Sequence, residues 1–158
     1  MKKGTIALLV VGVFILALVM GTLTTYNGLV SKDEAVATAW GNVQSQYQRR
    51  ADLVPNLVST VKGYAKHESE TLEGVVAARA KATQITVNAD ELTPEKLKQY
   101  QAAQGELSQA LGRLMAIQEN YPQLKANENF SELQAQLEGT ENRINESRQL
   151  FNSAVQTY

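Results

Sequence analysis

The sequence predicts an all-α protein: an N-terminal transmembrane helix followed by an antiparallel, up-and-down-like four-helix bundle. Three observations predict it. Ile6 to Leu23 is an 18-residue run without a charge. After it, apolar residues recur at steps of three and four. Only three prolines, Pro55, Pro94 and Pro122, interrupt the chain, and no segment alternates with the period of two that a strand needs.

The apolar run comes first. As a helix it spans about 27 Å, enough for a bilayer core. Lys2 and Lys3 precede it, and the next charges are Lys32, Asp33 and Glu34. The positive-inside rule then keeps the N-terminus in the cytoplasm and sends residues 26–158 outside. Tyr26 falls where an interfacial aromatic would sit. A cleaved signal peptide is the competing reading, but its apolar core is usually shorter. The best cleavage candidate, Val19-Met20-Gly21, lacks the small-residue pattern. Gly12 and Gly21 are too far apart for a GxxxG pair. The domain division is therefore an anchor, residues 1–25, with residues 6–23 in contact with lipid, and a bundle, residues 26–158.

Four periodic segments follow. The first, from about Ser31 to Leu53, carries Val36, Trp40, Val43, Tyr47, Ala51 and Val54. Ser31 with Glu34 fits a capping box if the helix starts afresh, although it can also continue from the anchor. The second runs from about Pro55 to Ala82, with Leu57, Val61, Tyr64, Leu72, Val75 and Arg79 on one face. Residues 85–93 break the pattern. Thr93-Pro94-Glu95 then gives a strong start signal, an N-cap followed by proline. The third segment carries Leu97, Tyr100, Leu107, Leu111, Leu114 and Ile117. Tyr121-Pro122 stops it, because a residue before proline avoids helical geometry. The fourth starts at Asn127 or Asn129 and carries Phe130, Leu133, Leu137, Ile144, Phe151, Val155 and Tyr158. Each segment is apolar on one stripe, and short connections make neighbours antiparallel, hence a bundle.

Composition excludes several chemistries. With no cysteine, a disulfide scaffold, a thiolate metal site, a cysteine nucleophile and a lipoprotein anchor are all ruled out. One histidine, His67, makes a multi-histidine centre implausible. Fifteen basic and 16 acidic residues leave a net charge of −1, which gives no electrostatic pull toward nucleic acid. There is no G-x-S-x-G, phosphate-binding glycine loop or H-E-x-x-H.

Some residues invite a closer reading. Glu68 and Glu141 are polar positions within apolar stripes, at similar depths when counted from the helix ends. Facing carboxylates suggest a di-metal site, but that site needs Glu-x-x-His pairs, and Tyr64 stands three residues before His67. Pairing with Arg50, Arg79, Arg143 or Arg148 is the stronger reading, since buried charges persist when paired. Arg49-Arg50 beside Asp52 reads as a salt-bridged helix terminus rather than a head-group site. His67 reads as a solvated residue on a charged helix surface. Gly41, Gly63, Gly74, Gly105, Gly112 and Gly139 fall inside helices at a cost of about 1 kcal/mol each. Close helix approach along Gly105, Ser108, Gly112 and Ala116 would offset that cost.

Several strings carry a family resemblance. They include Gln48-Arg49-Arg50-Ala51-Asp52-Leu53-Val54-Pro55-Asn56-Leu57-Val58 and Val61-Lys62-Gly63-Tyr64-Ala65-Lys66-His67-Glu68. Others are Glu119-Asn120-Tyr121-Pro122 and Leu137-Glu138-Gly139-Thr140-Glu141-Asn142-Arg143-Ile144. The chain after residue 25 strongly resembles the bacterial LemA family. The resemblance implies a single-pass protein of the bacterial cytoplasmic membrane, N-in and C-out, with a helical bundle, no established enzymatic activity and no known cofactor. It implies an envelope or membrane-stress accessory, sometimes near membrane metalloproteases. It also implies a further helix end and a Phe-Pro-containing tail beyond the position of Tyr158.

The sequence therefore leads us to expect a non-enzymatic envelope protein that presents a bundle to another envelope protein or to its own copies. The alternative is a lipid- or small-ligand-binding bundle. The motif residues Arg49, Arg50, Asp52, Pro55, Asn56, Lys62, His67, Glu68, Glu141 and Arg143 mark where an interaction surface is to be sought. None is expected to be catalytic, cofactor-binding or metal-binding.

Overall fold

The computed structural model describes residues 3–158, and every regular element among them is helical. Lys2 and the Lys3 side chain, which enter the orientation argument, lie outside the described residues. Helix α1 runs unbroken from Lys3 to Tyr64, 62 residues, or about 93 Å. Its apolar part is exposed throughout, and it is long and apolar enough to cross a membrane. The Thr22, Thr24 and Thr25 hydroxyls donate to the carbonyls of Val19, Met20 and Gly21 at 2.8–3.0 Å. These polar groups are thereby satisfied within the helix, as a hydrocarbon environment requires.

One open alternative is settled and one expected boundary is absent. No helix begins at Ser31, so Ser31 and Glu34 cap nothing and the apolar run continues straight into the packed half of the same helix. Nor does a helix begin at Pro55, which lies inside α1. The break comes ten residues later. Ala65 N–H closes on the Val61 carbonyl at 2.8 Å, Lys66 and His67 form a turn, and α2 occupies Ser69–Gln84.

The later boundaries follow the sequence signals. A 3₁₀ turn at Ala89–Glu91 lies within the predicted pattern break. Helix α3 is Pro94–Ala116, and the Thr93 hydroxyl accepts the Lys96 N–H at 3.2 Å. A 3₁₀ turn at Ile117–Asn120 and a single helical turn, α4, at Pro122–Lys125 follow. Helix α5 is Glu128–Thr157, capped by the Asn127 side chain on the Phe130 N–H at 2.9 Å.

The C-terminal half of α1 packs on α5 and α2, and α2 packs on α3. Side-chain contacts give the directions. Trp40 meets Phe151, Arg50 meets Glu141 and Tyr64 meets Asn127, so α1 and α5 run antiparallel. Arg79 reaches Ala51, and Lys81 reaches Glu106, so α1/α2 and α2/α3 are antiparallel too. The larger core draws on all five helices, with Leu57, Val61, Val75, Leu107, Leu114, Leu124 and Phe130 fully buried. A second cluster, nearer the apolar half of α1, joins Trp40, Val43, Tyr47, Val87, Tyr100, Ile144 and Phe151. Val155 and Tyr158, expected on the buried stripe, are exposed.

The glycines correct another expectation. A Cβ placed on Gly105, Gly112 or any other glycine would meet nothing within 4 Å. Close helix approach therefore does not offset their cost. Gly105, Ser108, Gly112 and Ala116 lie on the exposed side of α3.

Candidate functional site

The most unusual side chain in the core is Arg50, only 2% exposed. It sits mid-helix in α1, not at a helix terminus as its neighbours suggested. Its Nη1 donates to Glu141 Oε1 at 2.9 Å. Its Nη2 donates to both the backbone carbonyl and the side-chain oxygen of Gln104, each at 2.8 Å. One guanidinium thus ties α1 to α3 and α5. Its Nε has no acceptor, and the guanidinium lies over the Tyr47 ring, 5.0 Å from the centroid. A planar donor fork suits three acceptors in different directions, which an ammonium could not satisfy in the same geometry. The expected pairing of Glu141 with Arg50 is therefore formed.

An aromatic layer lies beside it. Trp40 contacts Tyr100 and Phe151 with ring centroids at 5.2 Å, and Tyr47 contacts Tyr100 at 5.6 Å. Burial pushes the Tyr100 phenol up to about 12. Burial also raises Tyr47, although Arg148 and Arg50 pull the other way. Trp40 Nε1–H and the Gln44 amide both donate to the Val87 carbonyl, at 2.7 and 2.8 Å. These bonds pin the connection between α2 and α3 onto α1.

Pro55 explains a third interhelical bond. Proline has no N–H to give the carbonyl four residues back, that of Ala51. Arg79 Nε fills the vacancy at 2.9 Å. The proline therefore does not end α1; it opens an acceptor on which α2 docks.

The remaining motif residues are dispersed. Glu68 lies at the α1–α2 turn, where it accepts from the Tyr121 hydroxyl at 3.3 Å. Glu141 lies mid-bundle with Arg50, so the expected equal depth of the two acids is not found. Counting from the Pro55 boundary misplaced Glu68. Asp52 accepts from Gln48 at 2.8 Å within α1. Arg49, Asn56, Lys62, His67 and Arg143 are exposed; His67 occupies the turn rather than a helix surface. No cluster of three potential metal ligands occurs among the described residues.

Surface clefts are open and mostly shallow. One of about 220 Å³ lies beside Arg50 and Glu141 and is bordered by Gln101, Ser108, Asn145 and Arg148. One of about 310 Å³ lies between Gln44, Gln48, Thr86 and Tyr100. A larger, more apolar groove of about 640 Å³ runs between α1 and α2 near their turn, floored by Val58, Leu72, Val76 and Ala77.

A long exposed apolar helix feeding a helical core stitched by one buried arginine defines an all-helical protein with one helix long and apolar enough to cross a membrane. The LemA family model matches residues 39–158, and the chain belongs to the LemA family. It is similar to magnetosome proteins MamQ 2 and MamQ 1 of Paramagnetospirillum magneticum, each 30% identical over 96% of this chain and 62% of the relative. It is also similar to magnetosome protein MamQ of Magnetospirillum gryphiswaldense, 29% identical over 91% of this chain and 59% of the relative. The chain spans less than two thirds of the length of these curated relatives.

Proposed function

We propose that this protein is a non-enzymatic, membrane-anchored envelope component that presents a helical bundle to protein partners. In this reading residues 1–25 form an uncleaved anchor, N-terminus in the cytoplasm, and residues 26–158 form an antiparallel, up-and-down-like four-helix bundle outside. The observation that carries it is the continuity of α1 from exposed apolar helix to buried core. A helix without a joint holds the bundle at fixed height and orientation over the bilayer. Such rigidity serves a docking surface rather than a tethered, freely sampling domain. The relatives named as magnetosome proteins support a membrane setting. The partner is a second envelope protein, such as a membrane protease, or another copy of the chain.

The ligand-binding alternative drew on Glu68 and Glu141 lining a shared cavity. They lie at different levels and each has its own hydrogen-bond partner, which weighs against it.

The test is photo-crosslinking from exposed motif positions Arg49, Lys62 and Arg143 in native membranes. Position-specific protein adducts are expected. Adducts no more abundant than those from Leu18, within the anchor, would refute the interaction reading.

A further inference from the structure

The helix grooves of the bundle differ in how they are closed. The α2/α3 groove is bridged by Lys81–Glu106 at 2.7 Å. The α3/α5 side mixes Leu111, Met115 and Leu137 with Ser108, Glu138, Glu141 and Asn142. The α1/α2 groove near the turn is different. Its floor is Val58, Leu72, Val76, Ala77 and Ala80, and Val76 is 52% exposed. No ion pair crosses it among the described residues.

Its charges are segregated by helix. Lys62 on α1 and Lys66 at the turn line it from one side, and Glu73 on α2 lines it from the other. None of the three makes an ion pair within its own chain among the described residues. An apolar floor between a basic edge and an acidic edge is complementary to itself. Most foreign partners would satisfy only one edge.

Orientation selects the symmetry. The Arg79–Ala51 bond fixes the register of α1 against α2. Stepping from that contact toward the turn puts Val58 level with Leu72, and Lys62 about one turn beyond. Copies anchored in one membrane all point the same way, so a two-fold axis relating them must run along the membrane normal. Rotation about such an axis keeps every residue at its own height. It sets α1 of one copy against α2 of the other. Lys62 then comes within side-chain reach of Glu73 of the second copy, while Val58, Val76 and Ala80 are covered. The same contact is made twice, as closed two-fold interfaces require.

We propose that the α1/α2 groove is a self-association surface that takes the same groove of a second copy, side by side in the membrane. This rests on the membrane-anchored reading above. The occupant follows from the segregated, unpaired charges and from the shared orientation that an anchor imposes.

The chain has no cysteine, so single-cysteine variants report cleanly. Val76→Cys and Ala80→Cys are made in the full chain, expressed in membranes and treated with a mild oxidant. Asn142→Cys, exposed on α5, is the control. Helix content by circular dichroism checks that each variant folds. At least fivefold more disulfide-linked dimer is expected from Val76→Cys or Ala80→Cys than from Asn142→Cys. Adding Lys62→Glu should drop the yield to the control level, and adding Glu73→Lys to that variant should restore it. A folded chain that pellets with membranes but dimerises no more than the control overturns the proposal and leaves the anchored reading intact. A yield indifferent to charge reversal, or cysteine adducts with a different protein in place of the dimer, also overturns it. A chain released from membranes by alkaline carbonate overturns both readings.

Discussion

Replacing Arg79 with alanine removes the donor to a carbonyl that the helix itself cannot serve. The Arg79 Nε–Ala51 O distance is 2.9 Å, and Ala51 is 3% exposed. A hydrogen bond from a charged donor is worth about 1.5–3 kcal/mol. The orphaned carbonyl cannot recover that from solvent, so Arg79→Ala should destabilise by about this amount. For a bundle of this size, that lowers the melting temperature by roughly 5–10 °C. The structure further predicts coupling to Pro55. In Pro55→Ala the new N–H reaches the Ala51 carbonyl, and Arg79 becomes dispensable. In that background Arg79→Ala should cost less than about 0.5 kcal/mol, as expected for a half-buried surface side chain freed of its role. The assay is a double-mutant cycle by urea unfolding, followed by circular dichroism in lipid nanodiscs. Equal Arg79→Ala costs in the two backgrounds would refute the exchange of donors between proline and arginine.

Further outcomes follow from the same core. Arg50→Ala strips three hydrogen bonds from Glu141 and Gln104 and should cost about 1.5–3 kcal/mol, because Glu141, 35% exposed, regains water while the Gln104 groups do not; a loss below 1 kcal/mol in the same urea assay would contradict its place in the core. Burial raises the Tyr47 and Tyr100 phenols, so the native state holds them neutral. Their stabilisation is complete below the ordinary tyrosine value near 10 and is lost as pH rises through the raised values, about 12 for Tyr100; phenolate absorbance from these residues should grow only as the helical signal falls, and early ionisation in a folded chain would argue against burial. Gly139→Ala adds a Cβ into open space on α5 and should stabilise by up to about 1 kcal/mol; a lowered melting temperature would mean that the surface is occupied.

Much of the fold was legible where local chemistry decides. Thr93-Pro94 and Asn127 capped their helices as their types dictate, and the three-four spacing found most of the core. Pro55 misled because proline breaks a helix only when nothing else satisfies the freed carbonyl; here the rescue comes from Arg79, 28 residues from that carbonyl. The true break at Ala65–Glu68 has no proline and only Gly63 nearby. Val43, Tyr47, Arg50 and Val54 lie at helical spacing, so the burial of Arg50 could have been read from the stripe. Its charge argued against that until Glu141 and Gln104 were seen around it. The hold of Trp40 on the connection was hidden, because its acceptor is a backbone carbonyl that no sequence pattern marks. Val87 itself is buried; its spacing of two from Ile85 was the available signal.

The central claim is that one continuous helix carries the bundle out of the membrane. Electron–electron double resonance between spin labels at Thr24→Cys and Ser45→Cys, in nanodiscs, tests it most directly. Twenty-one residues of unbroken helix predict a narrow distance distribution centred at about 32 Å. A broad distribution, or one centred well below that distance, would place a joint between anchor and bundle and contradict the account.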